Sequence, residues 1–198
     1  ICLLVFAFFN LDSFADDPPQ QESESVFSQP FFAGLKDQRP LIASWEGPHP
    51  CLTMKKPILN YAVWSNGTVL YTKVTNGKPR LFLYVLTPEQ IDRVQRQATL
   101  LLKPVKSQKI AHLYPCGEVY GMIAELPGKT ISISSSVRGS VHLPVTLDAA
   151  QKKAIQKWHQ LDKLMIESLS DLQDPIEVKC AFHGPQEVWQ QVPSKKAD

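Results

Sequence analysis

The pattern of hydrophobic and polar positions first becomes regular at residues 61–71. Two β-rich runs, 61–64 and 68–71, flank Ser65-Asn66-Gly67. An Asn-Gly pair between such runs supplies the positive φ angles of a tight hairpin turn. A second turn at Asn76-Gly77 leads to another β-rich run at 81–85. The first half of the chain therefore predicts three successive strands.

The hydrophobic period then changes from that of a strand to that of a helix. Thr87 precedes Pro88, and Gln90 follows three positions after Thr87, which is the arrangement of a capping box. Apolar residues recur at helical spacing until Pro104, so this helix buries one face. A second, longer helix is predicted to start after Asp148 and to bury Ile155, Trp158, Leu161, Met165 and Leu169.

The remaining apolar runs predict further strands at 119–126, 130–137, 141–145 and 176–182. Strands grouped before helices favour an α+β fold, in which helices pack on one face of an antiparallel sheet. The order of strands and then a helix occurs twice. It is compatible with one domain over 31–192 and also with two similar halves, near 51–104 and 112–182.

The ends of the sequence have a different character. Residues 1–9 form an uncharged apolar run, and Ser13-Phe14-Ala15 then supplies small residues at the positions that a signal peptidase requires. We therefore predict a signal peptide at 1–15 and export to a periplasmic or extracellular location. The polar, proline-containing segment 16–30 is predicted to be a flexible leader, and 193–198 a flexible tail.

Composition excludes few functions but limits the partners. The hydrophobic fraction of 43% is ordinary for a globular protein. A formal charge of +2 with interspersed acids and bases gives no electrostatic support for nucleic-acid binding. No segment after the signal is apolar enough to predict a membrane span. The expected partner is another protein in the envelope or the extracellular space.

The cysteines offer the strongest candidates for covalent or metal chemistry. Removal of the signal leaves Cys51, Cys116 and Cys180, an odd number that in an oxidising compartment favours one disulfide and one further thiol. Three pairings are open. Each cysteine also has a histidine within four residues, and these are His49, His112 and His183. Thiolate and imidazole are ligands of copper and zinc, so a metal site is the alternative.

Catalytic patterns are weak. Cys116 lies in a turn-like Tyr-Pro-Cys-Gly segment and could act as a nucleophile with His142 or His159 as the base. No Asn or Asp that would orient the base can be identified. The sequence contains neither a Gly-x-Ser-x-Gly motif nor a phosphate-binding glycine loop. These observations favour a protein that is not an enzyme and needs no cofactor.

The hairpin at 61–71 and the segment Leu86-Thr87-Pro88-Glu89-Gln90-Ile91 together resemble a pattern in uncharacterised secreted bacterial proteins. Those proteins have a "dGtv" hairpin, a further strand and an "Lspeq" helix start, and Asn66 stands here for the usual Asp. The resemblance implies an envelope or extracellular module and transfers no functional residue. The sequence therefore predicts an exported binding module, with a copper- or zinc-binding protein as the alternative.

Overall fold

A computed structural model describes residues 35, 38–47, 57–110, 119–136, 146–180 and 182. The predicted α+β fold is confirmed, because within these residues eight strands form one mostly antiparallel sheet and two helices accompany it. The strands are β1 (Ile42–Gly47), β2 (Ile58–Val63), β3 (Thr68–Thr75), β4 (Lys78–Val85), β5 (Gln108–Lys109), β6 (Val119–Leu126), β7 (Lys129–Ser135) and β8 (Ile176–Val178). The helices are α1 (Pro88–Leu102) and α2 (Ala149–Ser170).

The sheet has the order β5-β7-β6-β1-β2-β3-β4-β8. Every neighbouring pair is antiparallel except β5 and β7, which are parallel. The last strand in the chain, β8, pairs with β4 of the first half. Strands of both halves therefore share one sheet. The division of the chain into one domain or two similar halves stays a prediction.

Both helices begin where the capping residues predict. Thr87 Oγ1 accepts a hydrogen bond from the Gln90 amide at 3.3 Å, and the Gln90 side chain accepts one from the Thr87 amide at 2.8 Å. Asp148 and Gln151 form the same reciprocal pair at the start of α2. These contacts satisfy amide groups that have no partner inside the first helical turn. Local sequence thus determines the start of each helix.

The hairpin turns follow from glycine, although the first turn differs from the prediction. Asn76 and Gly77 both have positive φ, at 52° and 72°, as a two-residue hairpin turn requires. At the first turn only Gly67 has positive φ, 87°, and the Asn66 side chain instead accepts a hydrogen bond from the Thr68 amide. A Cβ on Gly67 would lie 2.6 Å from the Leu86 carbonyl oxygen, so this position also requires a glycine for space.

The two faces of the sheet carry separate hydrophobic clusters. On the helix-facing side, strand residues pack against the apolar stripes of α1 and α2, and the members include Ile42, Tyr61, Val63, Met122, Ile133, Ala98, Leu102, Ile155 and Trp158. The opposite side, called the outer face below, holds Ala43, Leu59, Ala62, Trp64, Leu70, Leu81, Leu83 and Ile123, with Leu35 and Phe182 packed on it. Burial on both faces explains the strongly apolar central strands.

Some predicted elements have different bounds, and some lie outside the described residues. The closing strand predicted at 176–182 ends at Val178. The predicted strand at 141–145, the signal at 1–15, the leader at 16–30 and the tail at 193–198 lie outside the described residues. Within the described ranges, neither helix is long and apolar enough to cross a bilayer.

Candidate functional site

Most of the cysteine and histidine candidates lie outside the residues that the structure describes. Cys51, Cys116, His49, His112 and His183 lie outside the described residues. Cys180 is half-buried just after β8 and packs against the outer-face cluster beside Val178. Within the described part of the chain, no three His, Cys, Asp or Glu side chains come together as metal ligands would. The disulfide and the copper or zinc site therefore stay predictions.

His159 is one of the two candidate bases for a catalytic Cys116, and it lies within the described residues. It lies on the exposed side of α2, next to the buried Trp158. His142 and Cys116, the other members of that hypothesis, lie outside the described residues. The hypothesis of a catalytic thiol gains no support from the position of His159.

A buried polar contact joins the sheet to α2. The Tyr61 hydroxyl donates a hydrogen bond to Asp162 Oδ1 at 2.6 Å, across 101 residues of sequence. Tyr61 is fully buried and Asp162 is 2% exposed. Burial of polar groups is costly unless they are hydrogen-bonded, so this contact selects one position of α2 on the sheet.

An irregularity of β2 places further polar groups next to this contact. Ser44 pairs with Tyr61, whereas Trp45 pairs with Leu59, so Asn60 is an extra residue in β2 and forms a β-bulge. The Asn60 side-chain amide donates to Ser44 Oγ at 3.4 Å. The bulge lets both Leu59 and Ala62 face the outer cluster while Tyr61 faces α2. Ser44 and Ser135 are both fully buried polar residues of the sheet.

These buried polar residues are enclosed by the core. Trp158 lies one helical turn before Asp162, and its indole Nε1 is buried with no hydrogen-bond partner in the described structure. Two cavities with described linings are formed by other side chains. The arrangement around Tyr61 and Asp162 therefore suits positioning of α2 better than contact with a ligand.

A groove lies between the two helices. Its volume is about 270 Å³, its floor contains Val94 and Met165, and its rim carries Arg93 and Asp171. Pockets for small molecules usually measure about 300–1,000 Å³. The rim also presents both signs of charge. The groove could hold one or two side chains but has neither the size nor the electrostatic character of a typical ligand pocket.

Large exposed apolar side chains occur on β3, α1 and α2 (Val74, Leu100 and Ile166), and two more lie together at one end of the sheet. Ile176 of β8 is 65% exposed and Val85 of β4 is 57% exposed. Ile176 pairs with the buried Leu83, and alternation along β4 places Val85 on the same outer face. Residues diagonal to each other on adjacent strands lie about 7–8 Å apart. The two side chains therefore form one apolar strip at the boundary of the sheet.

The same end of the sheet has an open edge in the described structure. β8 has three residues and is the terminal strand of the described sheet, and it covers only Leu81–Leu83 of the eight-residue β4. An edge strand presents backbone N–H and C=O groups that can pair with another strand. We call β8, Val85 and the flanking Lys78, Arg80 and Lys179 the β8 edge.

The β8 edge combines these apolar residues with a basic face. Arg80 donates to Glu177 Oε1 at 2.7 Å, which is a surface ion pair with both side chains roughly two-fifths exposed. Lys78 and Lys179 are exposed on either side of this pair. Residues 176–179 read Ile-Glu-Val-Lys, an alternation that is typical of a strand with two different faces. The identity of the neighbouring strand was not readable from it.

Comparison with known proteins found no relative of this chain. No protein-family model matches the chain, and searches of curated proteins and of solved structures found no match either.

Proposed function

We propose that this chain is an exported, non-catalytic interaction module that binds another protein at the β8 edge. The observation that carries the proposal is the short terminal strand with Ile176 65% exposed beside Val85 at 57%. Export is proposed from the signal-peptide pattern of residues 1–15.

Strand addition is the binding mode that fits this edge. An extended segment can hydrogen-bond to a terminal strand through its backbone, and alternate side chains then contact the two faces of the sheet. On the outer face those side chains would cover Ile176 and Val85. At about 25 cal/mol for each Å² of apolar surface removed from water, covering two such side chains is favourable by about 1–3 kcal/mol.

The edge supports this proposal better than the inter-helix groove does. The groove between α1 and α2 has a buried floor, so a ligand there would remove little additional apolar surface from water. The β8 edge offers apolar surface and unpaired backbone groups of the described sheet at the same place. Side chains on a rigid sheet also lose little freedom when a partner binds.

Site-specific photocrosslinking in the exported fraction of the source cells tests the proposal. A benzophenone side chain replaces Ile176 in one variant and Gln156, on the exposed side of α2, in a matched control. We expect one defined protein adduct from position 176, the same in independent preparations, and none from position 156. Equal adducts at both positions, or none at 176, would contradict the proposal.

A second variant tests whether the apolar surface of Ile176 itself contacts the partner. Ile176→Lys keeps the solvent-exposed position but removes its apolar surface, and it should leave the thermal unfolding midpoint nearly unchanged because Ile176 is exposed. With the benzophenone moved to Val85, the same adduct should weaken strongly in the Ile176→Lys background. An undiminished adduct would show that Ile176 does not contact the partner.

A further inference from the structure

The β8 edge has two chemically different faces, and its register assigns residues to each. Ile176 pairs with Leu83 and Val178 pairs with Leu81, and both partners belong to the outer-face cluster. Glu177 pairs with Phe82, which packs on the helix-facing side. Cys180 and Phe182 continue on the outer face, so Lys179 between them lies on the helix-facing side.

The helix-facing side of the edge is basic. Lys78 and Arg80 alternate with Leu81 and therefore share that side with Lys179, against the single carboxylate of Glu177. Arg80 already pairs with Glu177 at 2.7 Å, which leaves the two lysines as unbalanced charges on this side of the described edge. Asp174, two residues before β8, adds a carboxylate at the start of the strand.

The distance from a bound strand to each basic side chain determines how strongly that side chain attracts it. Neighbouring strands lie about 4.8 Å apart, so a ninth strand beside β8 would be adjacent to Lys179 and about 10 Å from the backbone of β4. The Debye length in physiological salt is about 8 Å, and the long side chains of Lys78 and Arg80 reach outward. Lys73 on β3 is a further strand away and is largely screened.

We infer that the partner segment recognised at the β8 edge is an extended strand with alternating acidic and apolar residues. Apolar side chains would cover Ile176 and Val85 on the outer face, and carboxylates would face Lys179 and Lys78 on the other. A second copy of this chain fits less well, because the one carboxylate of its β8, Glu177, already pairs with Arg80. This inference rests on the proposed function and specifies the partner's chemistry.

Defined peptides test the inference on the full chain. The probes are acetylated and amidated (Glu-Val)₄, (Lys-Val)₄ and the block peptide Glu₄Val₄, each labelled for fluorescence anisotropy. We expect (Glu-Val)₄ to bind at least tenfold more tightly than either of the other two, which corresponds to about 1.4 kcal/mol. Binding should weaken as salt rises towards 1 M. Equal binding of the acidic and basic peptides would overturn the inference.

Charge reversal supplies the matched variants. Lys78→Glu/Lys179→Glu should weaken (Glu-Val)₄ binding at least tenfold and strengthen (Lys-Val)₄ binding. Lys106→Glu/Lys153→Glu changes net charge equally at exposed positions away from the edge and should alter neither affinity by more than about twofold. Equal effects of the two double variants would overturn the inference, because they would show a response to net charge alone.

Two further outcomes separate this inference from the proposed function. If the adduct at position 176 forms but (Glu-Val)₄ shows no preference over (Lys-Val)₄, the partner chemistry is wrong and the interaction module stands. If neither the adduct nor peptide binding is found, both are wrong. Sedimentation that shows a dimer dissociated by Ile176→Lys would also overturn the inference, because the occupant would then be a second copy.

Discussion

Removal of the Tyr61 hydroxyl tests how the sheet and α2 are held together. Tyr61→Phe keeps the ring, which is packed in the core, and removes only the donor to Asp162 Oδ1. Both residues are buried, so water cannot replace the lost donor without disturbing the packing. Removing one donor from a buried hydrogen bond costs about 1–3 kcal/mol. We expect Tyr61→Phe to lower the free energy of unfolding by about 2 kcal/mol.

Chemical denaturation with urea measures this change directly, and thermal unfolding gives a second estimate. For a folded unit of about 150 residues, 2 kcal/mol corresponds to a decrease of about 4–8 °C in the unfolding midpoint. Tyr84→Phe is the matched control, because Tyr84 is half-buried on the same face and its hydroxyl has no hydrogen-bond partner in the described structure. The control should change stability by less than about 0.5 kcal/mol.

A double-mutant cycle isolates the contact itself. In an Asp162→Leu background, Tyr61→Phe should cost much less than in the wild type, giving a coupling energy of about 1–2 kcal/mol. If Tyr61→Phe costs the same in both backgrounds, or no more than Tyr84→Phe, the buried hydrogen bond does not hold α2 on the sheet.

Four other features give shorter tests. A Cβ on Gly121 would lie 2.3 Å from the Trp45 ring, so Gly121→Ala should destabilise the fold by about 1–3 kcal/mol in urea, and an unchanged midpoint would contradict the packing. Thr87→Ala removes the cap of α1 and should cost about 1 kcal/mol, whereas the exposed Thr130→Ala should cost less. Burial and, secondarily, the nearby Tyr84 raise the pKa of Tyr71 above 10.0. Tyr71 therefore ionises at lower pH in the unfolded chain than in the folded one, so the stability of the fold should fall as pH rises above about 10. Tyr71→Phe should show a smaller fall in stability between pH 9 and 11, and an equal fall would disprove this contribution. Mass spectrometry with thiol alkylation of the exported protein should show one disulfide and one alkylated thiol among Cys51, Cys116 and Cys180, whereas stoichiometric copper or zinc without a disulfide would favour the metal alternative.

The elements that sequence predicted well are those that short-range chemistry determines. The turn at Asn76-Gly77 and the caps at Thr87 and Asp148 depend on residues within three positions, and the structure has them where predicted. The antiparallel sheet with helices on one side followed from the order of these elements. Local signals therefore sufficed for the fold class.

The strands that sequence missed depend on distant partners. β1 lies at the centre of the sheet between β2 and β6, yet its Ile-Ala-Ser-Trp-Glu-Gly sequence has little apolar alternation. Its small residues Ala43 and Ser44 are buried because strands on both sides and clusters on both faces enclose them. β5 has two residues and exists through parallel pairing with β7. No local pattern encodes either contact.

In the candidate sites too, local sequence indicated the kind of contact but not the distant residue that makes it. Asp162 falls on the buried stripe of α2 one turn after Trp158, which was a signal for a buried polar contact, but its partner is 101 residues away. The alternation Ile-Glu-Val-Lys at 176–179 indicated a two-faced strand. Only the order of the described strands showed that this strand lies at the edge of their sheet, near Val85. Proximity in space was the missing information in both cases.

Amide hydrogen exchange across β8 shows directly whether this strand is a binding edge. Exchange is followed by mass spectrometry on peptides that cover residues 172–182, 86–100 and 153–170, in the chain alone and in complex with the partner captured at position 176. We expect fast exchange at outward-facing β8 amides in the free chain and marked slowing there in the complex, with little change in α1 and α2. Protection of β8 in the free chain, or slowing confined to the helices, would contradict a binding edge at β8.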